Sequence, residues 1–285
     1  MTMILAYPQA QALLAARDDG APAAATSLDL GRNTVTATLD DAGAHVAGVC
    51  VPWPMLEEIA VNDVNCFQLE IDAAGAVTAE KIVRFSEESN RVYSLMPTRS
   101  TPTMLISGIP MHRIKGTDPL RDTGEKIRAV GRIHGQVLDT SMGLGYTAIA
   151  AARLAAHVTT IEIEPTVVDL CRLNPWSQEL FSAANITRLL GDSYELVQEF
   201  DAGAFDVIIH DPPAFGIDGE LYSAAVYREF MRILRPRGRL FHYIGNPESK
   251  SGKTVTRGVI RRLQECGFTR VSPRPAAFGV AAARP

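Results

Sequence analysis

Hydrophobic and polar positions follow one rhythm in the first third of the chain and another in the rest. In AGAHVAGVCV, NCFQLEIDAAGAVTAEKIVRF and RVYSLM, apolar and β-branched residues alternate with polar ones in short runs. Gly and Asp-Asp turn signals interrupt these runs, which is the pattern of half-buried strands. The stretch Asp72-Ala73-Ala74-Gly75 reads as a hairpin connection. From about residue 118 the period lengthens. DPLRDTGEKIRAV reads as a helix with Asp118 as N-cap and Pro119 at its first position. Strand and helix patterns then alternate: GQVLDT, YTAIAAARLAA, VTTIEI, TVVDLCRLN, ITRLLG, SYELVQEF, FDVIIHD, SAAVYREFMRIL, GRLFHYIG and TVTRGVIRRLQECG. A strand pair near FTRVS and AFGVAAA closes the chain. Such alternation predicts a Rossmann-like, doubly wound α/β fold with a mostly parallel sheet of about seven strands, one C-terminal strand being antiparallel. The expected organisation is a small β-rich N-terminal domain over 1–112 and a Rossmann-like domain over 113–285.

Composition narrows the class without changing it. With 285 residues, 46% hydrophobic and 21% charged, the chain can bury a sizeable core. No apolar run reaches the roughly eighteen residues a membrane span needs. The start lacks a basic n-region, and Pro8, Gln9 and Gln11 break its apolar stretch, so it makes a poor signal peptide. A cytoplasmic protein with no membrane partner is expected. Cys50, Cys66, Cys171 and Cys266 are widely separated and fit no metal or redox spacing. They read as reduced, buried thiols, and no metal is expected. Residues 1–110 carry a balance of −7 and the remainder +3. An acidic front half repels a phosphate backbone, which argues against an RNA-binding appendage.

In a doubly wound sheet, ligands bind outside the carboxyl ends of the strands. The chemistry-bearing residues fall at those ends. The first strand finishes in Asp139 and enters Thr140-Ser141-Met142-Gly143-Leu144-Gly145, where two glycines allow a tight turn and close approach to a ligand. Glu162 ends the second strand twenty-three residues later, a spacing that suits a carboxylate accepting from a ribose diol. Glu164 is its rival. Gly191-Asp192-Ser193 ends the third strand, where Asp192 can accept from an adenine amino group or cap the following helix, a task Ser193 could share. The fourth strand ends in Asp211-Pro212-Pro213-Ala214-Phe215. Two prolines stiffen that turn and free carbonyls to accept hydrogen bonds, and Phe215 can stack on a planar or cationic group. Taken singly, each feature has a bland equivalent in a structural turn, a solvated strand end, a helix cap or a rigid loop.

As an ordered set, these features resemble class I S-adenosylmethionine-dependent methyltransferases over residues from about 118 to 285. The resemblance implies S-adenosyl-L-methionine as cofactor. Asp139, Gly143 and Gly145 would hold its methionine part, Glu162 its ribose and Asp192 its adenine, with Ser141 and Ser193 also among the cofactor-binding residues. Asp211, Pro212 and Phe215 would face the transferred group. Ser141 replaces the first loop glycine of the family, and Ala214 separates the aromatic residue from Pro-Pro. The stretch DPPAFGIDGELYSAAVYREFMRILRPRGRLF also resembles spermidine synthases, which share the fold and use a decarboxylated cofactor. Those enzymes have an acid in the glycine loop where this chain has Leu144, and another just after the fourth strand where it has Pro212-Pro213. Over its length the chain is most similar to an uncharacterised, archaeal-type methyltransferase group placed with spermidine synthases.

The implied reaction is in-line methyl transfer to a nitrogen or oxygen nucleophile, with Asp211 and the Pro212 carbonyl orienting the acceptor. Aminopropyl transfer and a non-catalytic scaffold are the alternatives. A small-molecule acceptor is favoured, with RNA or a protein side chain as the other classes, and the sequence names no oligomeric state. His210 should point to the face opposite Asp211. His112 reads as a loop histidine and His242 as a substrate-side candidate. Lys250, Lys253 and Arg257 read as a solvated basic face.

Overall fold

The computed structural model describes residues 3–212 and 219–285. Two compact units form, Met1–Pro119 with Thr166–Gln178, and Leu120–Pro165 with Glu179–Pro285.

The first unit is built on three small antiparallel sheets. One joins Met3–Leu5, Phe67–Ile71 and Val77–Lys81, and the next runs through Ala23–Thr26, Val35–Leu39, Gly43–Val46 and Val49–Pro52. The third holds Val83–Ser86, Arg91–Met96, Thr103–Ile106 and Ile109–Pro110. The anticipated hairpin at Asp72 is present. Asp72 Oδ1 accepts from the Ala74 and Ala76 amides, and Gly75 supplies the left-handed residue at φ +86°. Two helices, Tyr7–Asp18 and Trp53–Ala60, were not anticipated. Each has a proline in its first turn and contributes buried side chains, Leu13 from one and Trp53, Leu56 and Ile59 from the other. Core packing overrides the broken apolar pattern that Gln9 and Gln11 produce in the sequence.

The second unit contains the doubly wound sheet. Its strands are β1 (Gln136–Asp139), β2 (His157–Glu162), β3 (Ile186–Leu190), β4 (Phe205–His210), β5 (Leu234–Tyr243), β6 (Thr269–Arg274) and β7 (Gly279–Ala283). Their order across the sheet is β3-β2-β1-β4-β5-β7-β6. The first five are parallel, and β7 runs antiparallel to both β5 and β6, as expected from the closing strand pair. The helices along this part of the chain are α1 (Pro119–Val130), α2 (Tyr146–Ala152), α3 (Pro165–Leu173), α4 (Glu179–Ser182), α5 (Ser193–Glu199), α6 (Ala224–Ile233) and α7 (Lys250–Glu265), of which α3 from Thr166 onward belongs to the first unit. Strand order reverses between β1 and β4, which places a crevice at their carboxyl ends.

Central strands buried on both faces should be apolar throughout, and Val137, Leu138, Val207, Ile208 and Ile209 are all fully buried. Helix α6 turns Val226, Tyr227, Phe230 and Ile233 into the same core, its N-terminus capped by Ser223. Two boundaries differ from expectation. Strand β5 starts at Leu234, four residues before the anticipated Gly238, because an irregularity opposite Phe205–Val207 and a left-handed Arg237 (φ +67°) let the chain enter pairing early. Helix α7 starts at Lys250 instead of Thr254 because the Ser249 hydroxyl accepts from the Gly252 amide and caps it there. No disulfide joins the four cysteines. Cys66 and Cys171 are buried, whereas Cys50 and Cys266 are half-buried, contrary to the expectation for all four. Cys50 lies on the short strand Val49–Pro52, and Cys266 follows the last turn of α7, so neither side chain is enclosed on all sides.

Candidate active site at the carboxyl edge of the sheet

Register fixes the positions of the acids. Asp139 is the last residue of β1 and lies opposite Thr160 on β2 and Ile209 on β4. Its side chain is fully buried, with Oδ2 accepting from the Thr160 hydroxyl at 2.7 Å. Oδ1 makes no well-formed hydrogen bond among the described residues. Burial pushes Asp139 up to about 8. The Thr160 hydroxyl and Lys126 pull the other way, and the charge of Asp211 adds to the rise.

Beyond Asp139 the loop turns on glycine. Gly145 adopts φ +77° and caps α2, and a Cβ there would lie 2.2 Å from Leu180 Cδ1. Gly143 adopts φ +50°, and the space a Cβ would take is open. The Gly143 amide donates to Glu162 Oε2 at 2.9 Å, and the Glu164 amide donates to Glu162 Oε1 at 3.1 Å. The acid at the end of β2 is thus tied to the loop after β1. Glu162, not Glu164, makes this link. Burial pushes Glu162 up to about 7 against the backbone amides that favour its charged form. Ser141 is half-buried in the same loop.

Asp192 caps α5, its Oδ1 accepting from the Tyr194 amide at 2.8 Å. This is the capping role anticipated beside the ligand role, and it leaves Oδ2 without a partner among the described residues. Ser193 is buried at the first position of α5.

Asp211 follows β4, with Pro212 buried behind it. Pro213, Ala214 and Phe215 lie outside the described residues, and with them the anticipated stacking of Phe215. Asp211 does not stand alone. Lys126 Nζ lies 2.5 Å from Asp211 Oδ2 and 3.2 Å from Asp122 Oδ2, with the Tyr243 ring centroid 4.5 Å away. Burial opposes the charge on Lys126, but the two carboxylates outweigh it and hold the ammonium firmly protonated. Burial raises Asp211, and Lys126 opposes that rise. The sequence reading missed Asp122, Lys126 and Tyr243. An Asp–Lys pair four residues apart on a helix ordinarily marks a solvated face. The available signal was Gly124 between them inside the helix, together with Tyr243 at the end of β5.

The two strand histidines are core residues. His210 is fully buried. Its Nε2 donates to the Leu221 carbonyl at 2.8 Å, and its Nδ1 accepts from the Thr140 hydroxyl at 2.7 Å. Burial pushes it down to about 4. It points away from Asp211, as alternation predicts. His242 packs against His210, Tyr222 and Tyr227 and is fully buried, so it is not the substrate-side group anticipated. Opposite His210 in register, it falls on the same face of the sheet. His112, in the first unit, pairs its Nδ1 with the Thr103 hydroxyl at 2.9 Å. Lys253 and Arg257 are exposed on α7.

Comparisons with known proteins bear on the family and the fold. Residues 138–242 match the family described as "Methyltransferase domain". The chain is 47% identical over 207 residues to "Uncharacterized protein MJ1233" of Methanocaldococcus jannaschii, covering 72% of this chain and 71% of that one. Among solved structures, a spermidine synthase in complex with the transition state analogue AdoDATO aligns with a TM-score of 0.59 at 15% identity, over 76% of this chain and 80% of the other. The spermidine synthase of Thermotoga maritima aligns at 0.56 and 16% identity, over 76% and 78%. At such identities the structural likeness speaks to the fold. The chain belongs to one family with the archaeal relative, and residues 138–242 carry a methyltransferase domain.

Proposed function

We propose that residues 113–285 form a catalytic domain that binds S-adenosyl-L-methionine along the carboxyl ends of β1, β2 and β3. In this reading the domain transfers the methyl group to a nitrogen or oxygen nucleophile at the end of β4, and residues 1–112 form a separate β-rich domain. The observation that carries the proposal is the bond from the Gly143 amide to Glu162, which knits the glycine loop of one strand to the acid of the next beside Asp139.

The donor set fits this cofactor. Asp139 presents a buried oxygen with no well-formed hydrogen bond, and the position above Gly143 is open. Asp139 and Glu162 have pKa values raised by burial, so a cationic ligand beside them recovers favourable electrostatics that the ligand-free edge lacks. Asp139, Ser141, Gly143 and Gly145 would hold the methionine part. Glu162 would take the ribose hydroxyls on lone pairs its two amide donors leave open, and Asp192 Oδ2 with Ser193 would meet the adenine.

S-Adenosylmethionine supplies a methyl group already activated on a sulfonium. What the protein must add is alignment and a water-poor setting. Asp211 and the Pro212 carbonyl orient the acceptor N–H or O–H, Asp211 receives the proton, and Phe215 would pack on the acceptor. A small metabolite is the acceptor class we favour, ahead of an RNA nucleoside or a protein side chain. No helix among the described residues is long and apolar enough to cross a membrane, and we place the reaction in the cytoplasm.

Calorimetry with S-adenosylmethionine and its decarboxylated analogue tests the proposal. Tighter binding of the methyl donor is expected. Preference for the decarboxylated form would instead indicate aminopropyl transfer, and binding of neither at millimolar concentration would indicate a scaffold.

A further inference from the structure

Lysine is almost never fully buried unless paired, and here it is enclosed on all sides. Side-chain exposure falls from 18% at Asp211 to 4% at Lys126 and 1% at Asp122. The carboxylate–ammonium–carboxylate bridge therefore reaches solvent only at its Asp211 end. Four groups face the ammonium: Asp122 from α1, Asp211 from the end of β4, the Tyr243 ring from β5 and, through its charge, Asp139 from β1. Asp211 Oδ2 is committed to Lys126 at 2.5 Å, while Oδ1 has no partner among the described residues.

We propose that Lys126 is a positioning residue of the transfer site, anchoring Asp211 by Oδ2 so that Oδ1 is the one carboxylate oxygen presented to the acceptor's N–H or O–H. Asp122 acts one step further back, holding Lys126 from the preceding turn of its own helix. An ion pair that merely fastened α1 to the sheet could sit anywhere along the strands. This one meets the end of β4 at the residue to which the proposed methyl transfer, on which the inference rests, gives the acceptor's proton. The bridge also sets the working state of Asp211. With Lys126 beside it, the carboxylate can accept a proton from an incoming nucleophile. Without Lys126, Asp211 would face Asp139 and Asp122 in a desolvated site and would itself hold a proton.

The test follows the Asp211 carboxyl carbon by NMR in protein labelled with 13C-carboxyl aspartate, the resonance being identified by its loss in Asp211→Asn. Lys126→Met should raise the Asp211 midpoint by roughly one to three pH units, and Lys126→Arg should bring it back towards the wild-type value. Should Lys126→Met fail to fold, the double variant Lys126→Met/Asp122→Asn removes one charge of each sign and should show a smaller rise in the same direction, because Asp122 no longer adds to it. A midpoint that moves by less than about half a unit in whichever of the two Lys126→Met variants folds would overturn the proposal. No acceptor is needed for this titration. Calorimetry with S-adenosylmethionine on the wild type reports separately on methyl transfer, so the two readings can fail independently.

Discussion

The backbone amide of Gly143 donates to the Glu162 carboxylate across the gap between β1 and β2, at 2.9 Å. One contact thereby couples the conformation of the glycine loop to the acid expected to hold the ribose. Glu162→Gln keeps the shape but replaces one acceptor oxygen by a donor that faces the amide. Hydrogen bonds to charged groups contribute about 1.5–3 kcal/mol, so affinity for S-adenosylmethionine should fall by roughly 10- to 150-fold. Calorimetry on the folded variant checks this, and unchanged affinity would remove Glu162 from the site.

The two loop glycines should respond differently to the same substitution. Gly145→Ala forces a left-handed residue and drives a methyl into Leu180, which should cost about 2–4 kcal/mol in a denaturant melt. Gly143→Ala meets no protein atom, so only the left-handed backbone penalty of about 1–2 kcal/mol applies. Its methyl would instead intrude on bound cofactor, and affinity should suffer more than stability does. Equal effects on both properties in both variants would mean the open space above Gly143 is not the cofactor's.

Two buried groups should tilt the stability curve in opposite directions. Asp139 ionises only near pH 8 in the folded chain but near 3.8 when unfolded, so the folded state binds more protons between those values and stability falls as pH rises through that window. His210 protonates near 4 when folded and near 6.5 when unfolded, so here the unfolded state binds more protons and stability falls as pH drops from 6.5 towards 4. In urea melts across pH 4–8, Asp139→Asn should lose less stability than wild type as pH rises, and His210→Gln should lose less than wild type as pH falls below 6.5.

Proton release on binding follows from the same acids. A sulfonium beside Asp139 and Glu162 favours their charged forms, so protons should leave when S-adenosylmethionine binds near pH 7. Apparent binding enthalpy should then vary with the ionisation enthalpy of the buffer. Identical enthalpies in phosphate and Tris would show that the carboxylates are already ionised in the free protein.

Strand ends were the legible part of this sequence. Asp139, Glu162 and Asp211 each end or follow a strand rich in buried apolar and β-branched residues, Asp192 follows the largely exposed edge strand Ile186–Leu190, and register brings these strand ends to one edge. Of the N-terminal helices, Tyr7–Asp18 was hidden because it has no clean 3.6-residue apolar period, and Trp53–Ala60 because its apolar spacing of Trp53, Leu56, Ile59 and Ala60 runs over only eight residues; both owe their form to packing. His242 was misjudged because nearness to a strand end says nothing about which face a side chain takes. Asp122 and Lys126 escaped because a four-residue acid–base spacing looks the same whether the helix face meets water or a sheet. Only the depth of α1 against β4 and β5 distinguishes them, and depth is a tertiary property.

The most direct measurement is a crystal structure of the protein grown with S-adenosylhomocysteine. The account places the ribose hydroxyls within hydrogen-bond distance of Glu162, the adenine beside Asp192, and the homocysteine chain over Gly143 towards Asp139. A nucleoside bound anywhere other than the carboxyl ends of β1–β3, or a ribose turned away from Glu162, would contradict it.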